Sequence, residues 1–123
     1  PLEDKWVLTP EEQVEIKTAT DAYNETIKTV AEAKGYAFVD FNAILQEAST
    51  SGLEFGRDNM NTSLITGGLI GLDGIHLTAR GYALMANKML TAIDVTYGSN
   101  FTAGKDGLAK PDDYPTNYSP TLQ

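Results

Sequence analysis

The chain has 123 residues, 41% of them apolar, with 9 basic and 17 acidic side chains, one histidine and no cysteine. That length allows one domain and hardly two, the apolar share argues against full disorder, and a net charge of −8 without a basic cluster argues against nucleic acid or anionic lipid as the main partner. The absence of cysteine removes disulfides, thiolate zinc sites and cysteine nucleophiles together, and no apolar run approaches the roughly 20 residues of a membrane-spanning helix.

Trp6-Val7-Leu8 reads as the end of a strand feeding a helix. Thr9-Pro10-Glu11-Glu12 is the start of that helix: threonine as cap, proline at the first helical position, two glutamates at the positive end of the dipole. Thr9 and Glu12 also have the capping-box spacing. Apolar residues recur at Ile16, Ala19, Tyr23, Ile27, Val30 and Ala31 with helical period, which predicts one buried stripe, and Gly35 supplies a stop, which predicts a helix of about 25 residues. Ala37-Phe38-Val39-Asp40 reads as a short buried strand. Strand, long helix, strand predicts a right-handed parallel crossover.

Phe41 to Ala48 predicts a helical turn or two. Residues 49–72 are rich in Gly, Ser, Thr and Asn, with Leu53-Glu54-Phe55 and Leu64-Ile65 as the candidate strands of a small hairpin. Thr78 caps a further helix whose apolar stripe is Tyr82, Met85, Ala86, Met89, Leu90 and Ile93, a stripe whose spacing is that of core packing. From Tyr97 the chain turns to Gly, Pro, Asp and Asn, which reads as a loop or a wrapping tail. One or two strands are too few for a parallel sheet covered on both faces. The chain therefore reads as the last part of an α/β domain, with residues 1–97 in that domain and 98–123 as a tail.

The single histidine, His76, lies in Gly71-Leu72-Asp73-Gly74-Ile75-His76-Leu77-Thr78-Ala79-Arg80-Gly81-Tyr82. A carboxylate three residues before a histidine in a Gly-flanked loop can hold one imidazole nitrogen and leave the other as a general base. Spacing alone equally fits a loop histidine hydrogen-bonded for structure. In the tail, Asp106, Asp112 and Asp113 cluster without the spacing of a calcium loop, and read as a solvated acidic stretch. Trp6, Tyr97, Tyr114 and Tyr118 can stack on sugars, or plug the edges of a core.

The string Asp-Gly-Ile-His-Leu-Thr-Ala-Arg-Gly-Tyr at 73–82, followed by Ala83, Ala86 and Asn87, resembles the last conserved block of the SGNH hydrolases, the GDSL-type lipases and acylhydrolases. Val7 to Glu12, Tyr23-Asn24, Phe38-Val39-Asp40 and Gly67-Gly68 also look like exported bacterial members, so the resemblance covers Trp6 to Tyr97. It implies a flavodoxin-like α/β/α fold with a mostly parallel sheet, of which this chain would hold the C-terminal portion. It also implies export and metal-free, cofactor-free hydrolysis of esters of acids, lipids or acylated sugars. By match of motif His76 is the general base and Asp73 its orienting carboxylate.

No Gly-Asp-Ser and no Gly-x-Ser-x-Gly occurs, and the serines, Ser49, Ser51, Ser63, Ser99 and Ser119, have no nucleophile context. The family's oxyanion glycine and asparagine blocks are not recognisable either. Asn24, Asn42 and Asn61 do not lie where the oxyanion asparagine should, while Asn59, Gly67 and Gly68 are candidates for a pocket edge. The first expectation is thus the C-terminal part of a longer hydrolase, with the nucleophile on an N-terminal part that is lost or bound as a second polypeptide. The alternatives are a non-catalytic binding module and a serine recruited from elsewhere. If the rest of the domain is absent, the apolar stripes of both long helices should lose part of their cover.

Overall fold

The computed structural model describes residues 2–105 and 107–117, so Asp106, Tyr118 and Ser119 lie outside the described residues. Among these residues it is a mixed α/β structure with three α-helices and one two-stranded antiparallel sheet. Among the described residues no helix is long and apolar enough to cross a membrane. The chain divides after Tyr36 into two compact units, and residues 98–117 belong to the second.

The first unit is a three-residue 3₁₀ turn, Asp4–Trp6, followed by helix α1, Pro10–Lys34. The capping box forms as its residues dictate: the Thr9 N–H donates to Glu12 Oε2 at 2.9 Å, and the Glu12 N–H donates to Thr9 Oγ1 at 3.3 Å. At the other end Gly35 takes φ +65°, and the Tyr36 N–H reaches back to the Ala31 carbonyl at 2.8 Å, a Schellman closure. The expectation of a buried stripe is corrected: Ile16, Tyr23, Ile27 and Val30 are exposed, and only Ala31 of that stripe is buried. Trp6 and Leu8 are exposed as well, and residues 6–8 form no strand among the described residues.

The second unit opens with residues 37–40, which run without turn or bend, and continues in helix α2, Phe41–Thr50. Asp40 caps α2 by accepting from the Ala43 N–H at 2.9 Å. Strands β1, Leu53–Phe55, and β2, Asp58–Met60, follow as a hairpin with Leu53 opposite Met60 and Phe55 opposite Asp58. Gly56 takes φ +66° at the first turn position, a conformation a two-residue hairpin turn demands and glycine meets without strain. The hairpin partner of Leu53-Glu54-Phe55 is thus 58–60, and Leu64-Ile65 lies in an exposed loop. Helix α3, Ala79–Tyr97, begins at the Thr78 cap and ends at Gly98. Leu53, Phe55 and Met60 turn inward and meet Ala48, Leu69, Ala83, Leu84 and Met85 in the core.

Neither residues 6–8 nor residues 37–40 carry a ladder hydrogen bond among the described residues, so no parallel sheet is shown. The α3 stripe is also only partly core. Met85 is buried and Leu90 and Ile93 are half-buried, while Tyr82, Ala86 and Met89 are exposed. Periodicity marks which face is apolar, and says nothing about whether a neighbour covers it.

The tail is ordered by three polar side chains of α3. Arg80, Asn87 and Asp94 fall seven residues apart, hence on one helix face. Asp94 accepts from Ser99 Oγ at 2.5 Å and from the N–H groups of Phe101 and Thr102 at 2.9 and 2.7 Å. Asn87 pairs with both main-chain groups of Ala109, at 2.9 and 2.8 Å. Arg80 Nε donates to the Tyr114 carbonyl at 2.9 Å and its Nη1 meets Asp58 Oδ2 at 2.5 Å. The tail therefore runs back along α3, and Arg80 joins it to β2. Desolvation pushes the Asp94 carboxyl up, but its hydrogen bonds to Ser99, Thr102 and Phe101 together outweigh that and hold it at about 2.

Candidate functional site

Residues 68–78 form a closed loop before α3. The Gly71 N–H donates to the His76 carbonyl at 2.7 Å beside the antiparallel bridge of Ile70 and Leu77. The Thr78 N–H donates to the Leu69 carbonyl at 2.9 Å, and Thr78 Oγ1 donates to the Gly68 carbonyl at 2.6 Å. The same Oγ1 accepts from the Gly81 N–H at 2.9 Å, so one buried hydroxyl caps the helix and ties down the loop. From the tail, Asn117 Nδ2 donates to the Ile70 carbonyl at 2.8 Å. Leu69, fully buried, seats the loop in the core.

Within this frame the chain makes a turn from Gly71 to Gly74, closed by a 3.0 Å hydrogen bond. Gly74 takes φ +70°, which suits glycine and lets the chain double back toward Asp73. Asp73 Oδ1 accepts from the N–H groups of Ile75 and His76 at 3.0 and 2.9 Å. Its Oδ2 lies 2.6 Å from His76 Nδ1. The hydrogen bond from the His76 ring, with those from the two main-chain N–H groups, holds the Asp73 carboxyl at about 2, well below its ordinary 3.8. Asp73 is therefore ionised at neutral pH and can only accept. Nδ1 of His76 must donate to it, which leaves Nε2 of the neutral ring as an acceptor. The expected pairing of Asp73 with His76 is formed.

The His76 side chain is 71% exposed and Asp73 49%, so the couple stands open to whatever approaches. Leu72, Ile75 and Leu64 are exposed too, with Leu64 beside Gly74. The rim of the couple is aliphatic.

None of the described serines hydrogen-bonds it. Among the described residues the His76 ring hydrogen-bonds Asp73 alone. Ser49 and Ser51 donate to main-chain carbonyls of α2 and its exit, and Ser99 donates to Asp94. Asn42 is engaged by Gln46, and Asn61 Oδ1 accepts from the Ser63 N–H. Asn59 donates to the Ser51 carbonyl and lines a polar cleft with Ser49, Thr50, Asn61 and Ser63. Gly67 and Gly68 shape the loop beside Asn61. Asp112 lies 3.9 Å from Arg57, both exposed, and among the described residues no three acidic, histidine or cysteine side chains gather as a metal site. Trp6 is exposed beneath Lys5, and the Tyr97 hydroxyl is occupied by the Ala37 N–H.

The anchoring roles of Arg80, Asn87 and Asp94 escaped sequence reasoning. Their seven-residue spacing was the available signal, but polar residues on one helix face ordinarily mean a solvated face. Comparison with protein-family models, with curated proteins and with solved structures finds no match to this chain.

Proposed function

We propose that this chain is the Asp–His-bearing part of a serine ester hydrolase of SGNH/GDSL type. In this reading the nucleophile and oxyanion donors come from polypeptide outside residues 1–123. The single observation that carries the proposal is the Asp73–His76 couple, a 2.6 Å contact that orients the ring and leaves Nε2 open. Its sequence, Asp-Gly-Ile-His-Leu-Thr-Ala-Arg-Gly-Tyr, is the one in which such a couple serves catalysis in that family. The aliphatic rim of Leu64, Leu72 and Ile75 suits an acyl ester. The finer reading of fold belongs to the same proposal: the C-terminal portion of a flavodoxin-like α/β/α domain, from an exported bacterial protein.

The chemistry follows from the tautomer. A serine hydroxyl gives its proton to Nε2 while its oxygen attacks the ester carbonyl. The ring returns that proton to the alcohol oxygen as the acyl–oxygen bond breaks. A water molecule then repeats the exchange and frees the acid. Asp73 keeps Nδ1 protonated and the ring in place throughout. No metal takes part.

The test is turnover of p-nitrophenyl butyrate by this chain joined to the polypeptide that supplies the serine. A denaturing mass spectrum of the native material identifies that polypeptide. His76→Ala should lower kcat by about a thousandfold or more, and retention of most activity refutes the assignment. One observation favours a second reading, a non-catalytic binding module: no described serine reaches His76. Its mark is carbohydrate or ester binding that His76→Ala leaves unchanged.

A further inference from the structure

Asp73 is followed by Gly74, and Asp–Gly is the dipeptide in which an aspartyl side chain most readily closes on the main chain. The nitrogen of the following residue attacks the side-chain carboxyl carbon, one carboxyl oxygen leaves as water, and a five-membered succinimide forms. Water then adds to either ring carbonyl. One opening restores aspartate, and the other leaves isoaspartate, with the main chain running through the former side chain. Glycine favours closure because it puts no Cβ beside the attacking nitrogen. The neutral acid is the reactive form, since an ionised carboxylate has no hydroxyl to lose as water. Asp–Gly occurs at 73–74 and at 106–107, and only the first lies wholly within the described residues.

Every group that this closure needs is engaged. The Gly74 N–H donates to the Gly71 carbonyl at 3.0 Å. Asp73 Oδ1 accepts from the Ile75 and His76 N–H groups at 3.0 and 2.9 Å, and Oδ2 lies 2.6 Å from His76 Nδ1. For the ring to close, the carboxyl carbon must turn onto the Gly74 nitrogen, and these bonds must stretch or break. They also keep the carboxyl ionised: held at about 2 against an ordinary 3.8, it offers about sixtyfold less neutral acid at neutral pH than a free aspartate. The His76 ring contributes most to that lowering, and its exposed side chain is free of any cover that would hold it there.

We propose that Asp73–Gly74 is a site of covalent ageing in this chain, and that the His76 ring is the catch that restrains it. While the couple stands, Asp73 persists. When the ring leaves, the Gly74 nitrogen closes on Asp73 and isoaspartate accumulates. The isomer lengthens the main chain by one methylene and shortens the carboxylate arm by the same group. The arm then no longer spans the Ile75 and His76 amides and the imidazole together, so ageing dismantles the couple. All the groups involved lie between Gly71 and His76. The inference concerns the chemistry of Asp73 itself, and does not rest on His76 serving ester hydrolysis.

The test ages the full chain and its His76→Ala variant at neutral pH and body temperature, each native and unfolded in guanidinium chloride. Trypsin releases residues 58–80 as one peptide, in which isoaspartate at 73 separates from aspartate by chromatography and is identified by electron-transfer fragmentation. Because each pKa unit is a tenfold change in neutral acid, the native wild type should isomerise about tenfold or more slowly than the unfolded chain, and native His76→Ala about fivefold or more faster than native wild type. The circular dichroism of the variant and hydrogen exchange at its Ile75 amide should match those of the wild type. No isoaspartate at 73 in the unfolded chain would overturn the site. Equal or slower isomerisation in native His76→Ala would overturn the role of the ring. A faster rate matched by equally faster exchange at Ile75 would overturn it too, since the loop itself would then have opened.

Discussion

Replacing Thr78 with valine removes one hydroxyl and nearly preserves volume, so its effect isolates two hydrogen bonds. Thr78 is 6% exposed, its Oγ1 donates to the Gly68 carbonyl at 2.6 Å, and it accepts from the Gly81 N–H at 2.9 Å. Loss of an N-cap of this kind costs about 1 kcal/mol. Leaving the Gly68 carbonyl without that donor costs about 1–3 kcal/mol more. The sum, about 2–4 kcal/mol, is a large share of the stability of a small chain. In urea it lowers the unfolding midpoint by roughly 1–2 M for an m-value in the ordinary range. Thr78→Ser keeps the hydroxyl and loses a methyl, a change of about 0.8 kcal/mol, and serves as the control. Because the same hydroxyl ties Gly68 to the start of α3, hydrogen exchange at the Ile75 and His76 amides should also accelerate in the valine variant. Unfolding of Thr78→Val within about 0.5 kcal/mol of Thr78→Ser would refute this account of how the loop is anchored.

The tail makes a parallel case. Asn87→Ala deletes both bonds to the Ala109 peptide and should cost about 2–3 kcal/mol, felt first as undocking of the tail. Limited proteolysis should then cut near Ala109 well before the core, and an unchanged cleavage pattern would count against the clamp. The pH dependence of the couple follows from Asp73, whose folded value of about 2 lies below its ordinary 3.8. A carboxyl lowered on folding stabilises the native chain above its unfolded value. That contribution is lost as pH falls through the folded one. The Asp73 carboxyl signal in a ¹³C NMR titration should therefore show a midpoint near 2, and one near 3.8 would mean the hydrogen bonds do not persist in solution.

What the residues made legible, and what they did not, separates by range. Helix α1 could be read end to end because its signals are local: the Thr9–Glu12 box, Pro10 and Gly35 all act within a turn of the helix they bound. The Asp73–His76 pair was legible for the same reason, since three residues and one glycine suffice to close it. The hairpin was half legible. Leu53-Glu54-Phe55 alternates, but its partner Asp58-Asn59-Met60 has only one apolar residue, Met60, and Leu64-Ile65 looked the better strand by composition. The tail clamp was invisible because Arg80, Asn87 and Asp94 find their partners 34, 22 and 8 residues away in chain order at most. Nothing in a polar side chain's neighbours along the sequence announces such a contact. The stripe of α1 and Tyr82 and Met89 of α3 were read as core-facing and are exposed, because periodicity carries no information about what covers a face.

The measurement that bears most directly on the central claim is the tautomer of His76 in the isolated chain, read by long-range ¹H–¹⁵N correlation at alkaline pH. An ionised Asp73 against Nδ1 predicts the Nδ1–H form, with Nε2 showing the chemical shift of an unprotonated nitrogen. A ring protonated on Nε2, or an even mixture of the two tautomers, would contradict a couple that holds Nε2 ready as a base.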